Sequence, residues 1–217
     1  MYIPEHFALS TEQSIELLTP VRGGDLVTTG ADGLAATFVP MLYQPGGTYG
    51  TLIGHLSKVN PQWRDAGEAL FIVNGPQDYV DAEWLSRPEA VSVPTWNYVT
   101  VHAHGELIAH PEPEWGLDVV RQMSAARGDD TVETMPEDAV EVLLRSIVGI
   151  ELRITKLVGK AKMSQNKSPE VIEQVIAGFA ESGNAEAANW MREHSLPRAL
   201  AKAEMLAGIR EQANTAG

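Results

Sequence analysis

Apolar and polar positions alternate most regularly from Tyr98 to Ile108, where Val99, Val101 and Ala103 interleave with Thr100, His102 and His104. That period of two predicts a half-buried strand. Shorter runs of the same kind occur at Asp25 to Thr29 and Leu34 to Val39, on either side of Gly30-Ala31-Asp32-Gly33, and read as a hairpin. Thr48 to Ser57 follows the turn Pro45-Gly46-Gly47, Glu68 to Asn74 ends at Gly75-Pro76, and Ile150 to Leu157 reads as a last strand. Helical spacing appears first at Ile15, Leu17 and Leu18, capped by Ser10 or Thr11. Asn60-Pro61 starts a short helix, and two more fall near 113–126 and 136–147. Beyond Ser168-Pro169 the period is helical throughout. Val171, Ile172, Val175, Ile176 and Phe179 share one face, Ser182-Gly183-Asn184 ends that helix, and two others run from Ala185 to Glu193 and from Pro197 towards Arg210. Six strands at hairpin spacing with helical additions predict a mainly β, α+β fold built on a small antiparallel barrel.

Charge sharpens the division. The chain of 217 residues holds 16 Lys and Arg against 29 Asp and Glu, a formal net charge of −13. All of that excess lies before residue 160, and the helical remainder is neutral. Such a balance argues against a broadly basic protein that coats nucleic acid. Cysteine is absent, which excludes disulfides, thiol nucleophiles and cysteine-ligated metals. No apolar run approaches the length of a membrane span, and MYIPEHFALS lacks a cationic region followed by an apolar one, so the expectation is a soluble, cytoplasmic protein with no membrane partner. Phosphate-binding loops, GxGxxG, GxSxG and HExxH are all missing.

Four stretches carry candidate chemistry. His102 and His104 project from one strand face with Thr100 and Glu106, a geometry open to a metal. A third ligand at known spacing is missing, so the polar face of a half-buried strand is the better reading, and no metal is expected. From His55 to Trp63, an imidazole, a hydroxyl, an ammonium and an amide (His55, Ser57, Lys58, Asn60) gather where a strand gives way to a helix, a combination suited to phosphate. The alternative is a capped helix with solvated neighbours. Thr95, Trp96, Asn97 and Tyr98 put stacking and hydrogen-bonding groups ahead of the long strand, suited to a planar ligand or equally to a core plug or subunit interface. Gly159 to Ser168 holds three lysines in a short run, which reads as an anion contact or, more ordinarily, a solvated linker.

Taken together, Met1 to Phe7, GHLSKVNPQW, GPQDYV, VPTWNYVTVHAHG, IVGIEL and GKAKMSQNKS resemble the PaiB family of FMN-binding negative transcriptional regulators, over residues 1 to about 170. The resemblance implies an antiparallel split β-barrel domain over 1–165 and a C-terminal helical extension over 166–217, packed on the barrel or the dimer. It also implies a homodimer with FMN at the subunit interface. Mapped by motif, Ala36, Thr37, Phe38 and Val39 line the flavin, and His55, Ser57, Lys58 and Asn60 hold its phosphate. Thr95, Trp96 and Asn97 complete the site from the second subunit, with Lys162, Ser164 and Gln165 as further candidates. Lys58 stands where the family tends to have Arg, which keeps the charge but loses the bidentate fork.

The family label implies repression, with DNA as a direct or indirect partner. The alternative is an FMN-dependent oxidoreductase acting on a small molecule, in which the flavin carries the redox step. A helix opening Ala185-Glu186-Ala187-Ala188 offers little to a base edge. A third reading is a flavin-binding protein that acts through protein partners, with the apolar face of its helical tail as the docking surface.

Overall fold

The computed structural model describes residues 1–65, 67–85 and 94–215 and, within these, all side chains but those of 210, 211 and 213–215. The chain forms two compact units, neither continuous in sequence: Leu9–Val73 with Thr100–Gly159, and Met1–Ala8 with Asn74–Val99 and Lys160–Gly217.

Six strands, β1 (Val21–Gly30), β2 (Gly33–Gln44), β3 (Thr51–Ser57), β4 (Gly67–Val80), β5 (Thr95–His110) and β6 (Ile147–Lys162), close in the order β1-β2-β3-β6-β5-β4. The first hairpin turns at Ala31-Asp32, between the paired Gly30 and Gly33. Gly33 has φ +100°, a conformation in which a β-carbon would be strained. The β1–β2 register then places Leu26 opposite Thr37 and Asp25 opposite Phe38, and β3 pairs antiparallel with both β2 and β6. Alternation does the rest. Leu26, Val39, Met41, Leu52, Phe71, Val101 and Ile150 form the inner core together with Leu18 of α1 (Thr11–Leu18). A reciprocal capping box between Ser10 and Gln13 opens that helix.

On the outer face Val21, Leu42 and Ile53 form a second apolar cluster under Val119, Trp115 and Met123 of α2 (Pro113–Ala125). A short helix α3 (Thr131–Thr134), not evident from the sequence, and α4 (Glu137–Ser146) lead into β6.

In the second unit, α5 (Pro169–Glu181) buries the predicted face Ile172, Val175, Ile176 and Phe179, and the Phe179 ring meets Trp84 edge-on at 5.2 Å. Gly183 at φ +89° ends the helix, and Asn184 caps α6 (Ala185–Trp190).

Three of the differences from the sequence reading change the picture. β4 does not stop at Gly75-Pro76 but continues to Val80. Its buried positions shift from odd (Ala69, Phe71, Val73) to even (Pro76, Val80) numbers, so the dipeptide marks a slip in the pleat rather than a turn. α6 passes through a π turn, Met191–Ser195, straight into α7 (Leu196–Thr215). Pro197 sits in the first turn of α7, where its missing N–H costs little once the wider turn has absorbed the register. Lastly, the basic run after Gly159 is strand as far as Lys162, followed by buried Met163 and Ser164, and so is not a solvated linker.

Candidate functional site

The outer face of β2 is apolar but only half covered. Inward positions Thr37 and Val39 alternate with outward Ala36 and Phe38, and β1 places Val27 and Asp25 opposite those two. α2 shelters the end of this face near Leu42. The other end stays open, with Leu34 80% and Phe38 69% exposed. The Phe38 ring lies over Gly23 of β1, where a β-carbon would come within 2.3 Å of it. A strip of large exposed apolar side chains on a rigid strand is the signature of a surface that binds something.

Next to that strip lies the turn after β3. Asn60 Nδ2 donates to Thr37 Oγ1 at 3.0 Å, which ties the turn to β2. The Asn60 side-chain oxygen accepts from Gln62 N at 2.9 Å and caps the 3₁₀ turn Pro61–Arg64. Buried Gln62 anchors that turn by donating to Leu26 O at 2.7 Å. Ser57 and Lys58 are exposed, and among the described residues neither the hydroxyl nor the ammonium has a hydrogen-bond partner. The expected neighbours Thr37, Asn60, Ser57 and Lys58 thus come together.

His55 points to the same outer face as Ser57, two residues on, and pairs with Gly149 of β6. Trp115 covers Gly149 so closely that a β-carbon there would sit 2.1 Å from the indole. Burial lowers the pKa of His55 below its ordinary 6.5, so the ring is neutral at neutral pH. It therefore offers a hydrogen bond rather than a charge.

Sequence reasoning passed over the neighbours of Trp115. The His110 ring stacks on it at 4.0 Å, and His110 Nε2 meets Glu151 Oε2 at 2.9 Å. Glu151 also accepts from Arg153 Nε at 2.8 Å. Burial works to raise the pKa of Glu151, but the hydrogen bonds from Arg153 and His110 outweigh it and hold the carboxyl below its ordinary value. The spacing of Glu151 and Arg153 along β6 was the available signal, since residues two apart share a face.

The other expected site residues gather within the second compact unit. Lys162 Nζ donates to Thr95 Oγ1 and, at 2.7 Å, to Trp96 O. Buried Asn97 donates through Nδ2 to Ser164 Oγ at 3.0 Å. Thr95, Asn97, Lys162 and Ser164 line one cavity of about 320 Å³, together with Asn166 and Lys167. Trp96 alternates to the opposite side of β5, 49% exposed, with the Tyr79 ring 6.3 Å away. Gln165 is engaged by its own backbone: it accepts from Met163 N at 2.7 Å and donates to Ala161 O at 2.6 Å. His102 and His104 lie on β5 with ring centroids 6.4 Å apart, and among the described residues no three His, Asp or Glu converge as a metal site.

Comparison with known proteins places these geometries. A family model described as "Putative FMN-binding domain" matches residues 1–156. The chain is 28% identical over 195 residues to "Protease synthase and sporulation protein PAI 2" of Bacillus subtilis, covering 86% of this chain and 93% of that one. It is 31% identical over 178 residues to an uncharacterized protein of Aspergillus fumigatus, covering 63% of this chain and 68% of that one. Among solved structures it resembles the flavocytochrome Anf3 from Azotobacter vinelandii, with TM-score 0.56, 12% identity and coverage of 74% and 72% of the two chains. It also resembles an FAD and heme binding protein from Mycobacterium smegmatis, with TM-score 0.51, 18% identity and coverage of 72% and 73%. At those identities the structural likeness speaks for the fold, the split barrel.

The residues present fit FMN. A planar ring needs an open apolar surface, which the outward side chains of β2 supply, and a phosphate needs a cation and hydroxyl or amide donors, which Ser57, Lys58 and Asn60 supply on a turn tied to that strand.

Proposed function

The chain belongs to the PaiB-type FMN-binding domain family, and with FMN as its cofactor we propose that the flavin lies along the outer face of β2 with its phosphate at the turn after β3. The observation that carries this reading is the hydrogen bond from Asn60 to the inward Thr37, which ties the turn after the exposed Ser57 and Lys58 to the strand whose other face carries Phe38 and Ala36. In that position Phe38 and Leu34 exclude water from one side of the ring, Lys58 balances phosphate charge, and the neutral His55 orients a polar edge. When bound, the flavin supplies electron or hydride transfer.

We further propose that the protein is a homodimer across this open face and a negative regulator of transcription. The name of its Bacillus subtilis relative, which refers to protease synthesis and sporulation, supports a regulatory role. Repression does not run through α5 and α6 acting as a helix-turn-helix. Ala187 and Ala188 are completely buried, and the exposed residues of that first turn, Ala185 and Glu186, offer a base edge a methyl group and a negative charge.

Absorption spectroscopy after flavin loading and desalting tests the cofactor site. Bands near 375 and 450 nm, of the order expected for any flavin, should persist. Lys58→Ala should weaken FMN binding by about tenfold or more, the cost of one charge-assisted phosphate contact. Retention unchanged in Lys58→Ala would move the phosphate elsewhere. For the regulatory role, deleting the protein in its host should raise transcription from its target promoters. Unchanged transcription together with NAD(P)H oxidation by the flavin-loaded protein would replace the regulator with an oxidoreductase.

A further inference from the structure

The cavity in the second compact unit has the composition of a ligand site of its own. Its volume of about 320 Å³ falls at the small end of the range for small-molecule sites, about 300–1,000 Å³. Two lysines, Lys162 and Lys167, line the cavity, and among the described residues that line it none is acidic. Lys162 has three N–H donors, of which Thr95 Oγ1 and Trp96 O take two, leaving one.

Among the described residues no carboxylate forms a salt bridge with Lys162. Partial burial lowers its pKa; the nearby Tyr98 works the other way, and the like charges of Lys160 and Lys167 add to the lowering. A half-buried ammonium beside other cations is a costly arrangement that an anion would relieve. The polar floor is rigid: Asn97 and Ser164 bond to each other in both directions, at 3.0 and 3.3 Å, with Ser164 held at φ +60°. Opposite in character are the walls, where Val80, Leu85, Val171 and Val175 present aliphatic surface.

We propose that this cavity binds a small amphipathic anion, a carboxylate or phosphate monoester carried on a compact apolar body the size of a single ring. The anion takes the free proton of Lys162 and the charge of Lys167, and the ring fills the aliphatic side. The proposal does not rest on the placement of FMN along β2, and it gives Thr95, Asn97, Lys162 and Ser164, which the family resemblance assigns to the flavin site, to this anion instead.

Titration calorimetry of the full-length, FMN-loaded protein tests this, with phenyl phosphate and benzoate as separate probes. At least one should bind at a single site with FMN retained, and the tighter of the two identifies the headgroup. Lys162→Gln should weaken it by about tenfold or more and Lys167→Gln by severalfold. Because Lys162 also ties two strand ends together, Val171→Phe provides a second variant. It fills the cavity from a partly exposed position, leaves both lysines in place, and should abolish binding while circular dichroism and flavin content stay unchanged. No binding of either probe at millimolar concentration overturns the proposal, as does undiminished binding to Val171→Phe. Release of FMN by phenyl phosphate also overturns it, since the cavity would then be part of the flavin site.

Discussion

His55 shows how one side chain takes its properties from its surroundings. It is flanked along β3 by buried Gly54 and Leu56 and faces Gly149, over which the Trp115 ring is laid. Burial is the cause of its lowered pKa, and burial likewise heads the causes for His102 and His104. The sign for stability follows. An unfolded imidazole takes up a proton near 6.5 while the folded one stays neutral, so the unfolded state binds more protons as pH drops through that value. Stability is therefore full above pH 6.5 and declines as pH falls through the lower folded-state values. Thermal melts between pH 8 and pH 5 (about three units, bracketing the ordinary histidine pKa) should show a flat midpoint at the alkaline end and a decline on the acid side. His55→Gln should flatten part of that decline. An unaltered slope in the variant would mean that His55 is more hydrated than its setting indicates. Glu151 adds a second loss of the same sign at lower pH, because its carboxyl titrates below its ordinary value.

Among the elements, α6 is held at its start by the single residue Asn184. Asn184 accepts from Ala187 N at 3.0 Å as the N-cap, and its amide donates to Gln77 O at 3.1 Å and Asp78 Oδ2 at 2.8 Å. Asn184→Ala should cost about 1–2 kcal/mol in urea unfolding, the upper part of the usual range for a lost cap. Ser10→Ala, which removes half of an exposed capping box, should cost about 1 kcal/mol or less. Equal losses would show that the bonds from Asn184 to β4 contribute nothing. Ser10 and Asn60 are legible as caps, because they sit directly before helical periods and their side chains act locally, whereas the sequence marks Asn184 only as the end of α5. Strand ends are not legible. β5 and β6 each extend several residues beyond their predicted limits, since pairing with a neighbouring strand decides where a ladder stops.

For the whole molecule, the net charge of −13 works against association while the open face of β2 works for it. In the proposed homodimer Phe38 and Leu34 would be removed from water. Phe38→Asp should shift the protein from dimer to monomer in light scattering and weaken flavin retention in parallel. Added salt should tighten the wild-type dimer, because the like charges are screened within about 10 Å at 0.1 M and apolar contact is not weakened. A dimer indifferent to Phe38→Asp would place the interface on another face. Among the described residues no helix is long and apolar enough to cross a membrane.

By itself, the sequence determined whatever depends on neighbours along the chain. Period-two runs and Gly-containing turns gave an antiparallel α+β chain, Ser10 and Asn60 marked helix starts, and six motifs in fixed order pointed to an FMN-binding family. Composition excluded thiol and disulfide chemistry outright. Tertiary structure alone decided which strands meet, and so which residues share a surface. Phe38 is open and Ile53 covered because α2 reaches only part of the outer face. His110 and Glu151, separated by 41 positions in sequence, meet at 2.9 Å through strand order. Thr95 and Lys162 likewise line a cavity with no trace in local pattern. Local preferences are short-ranged, and the register and packing that unite distant residues come from burying one core as a whole.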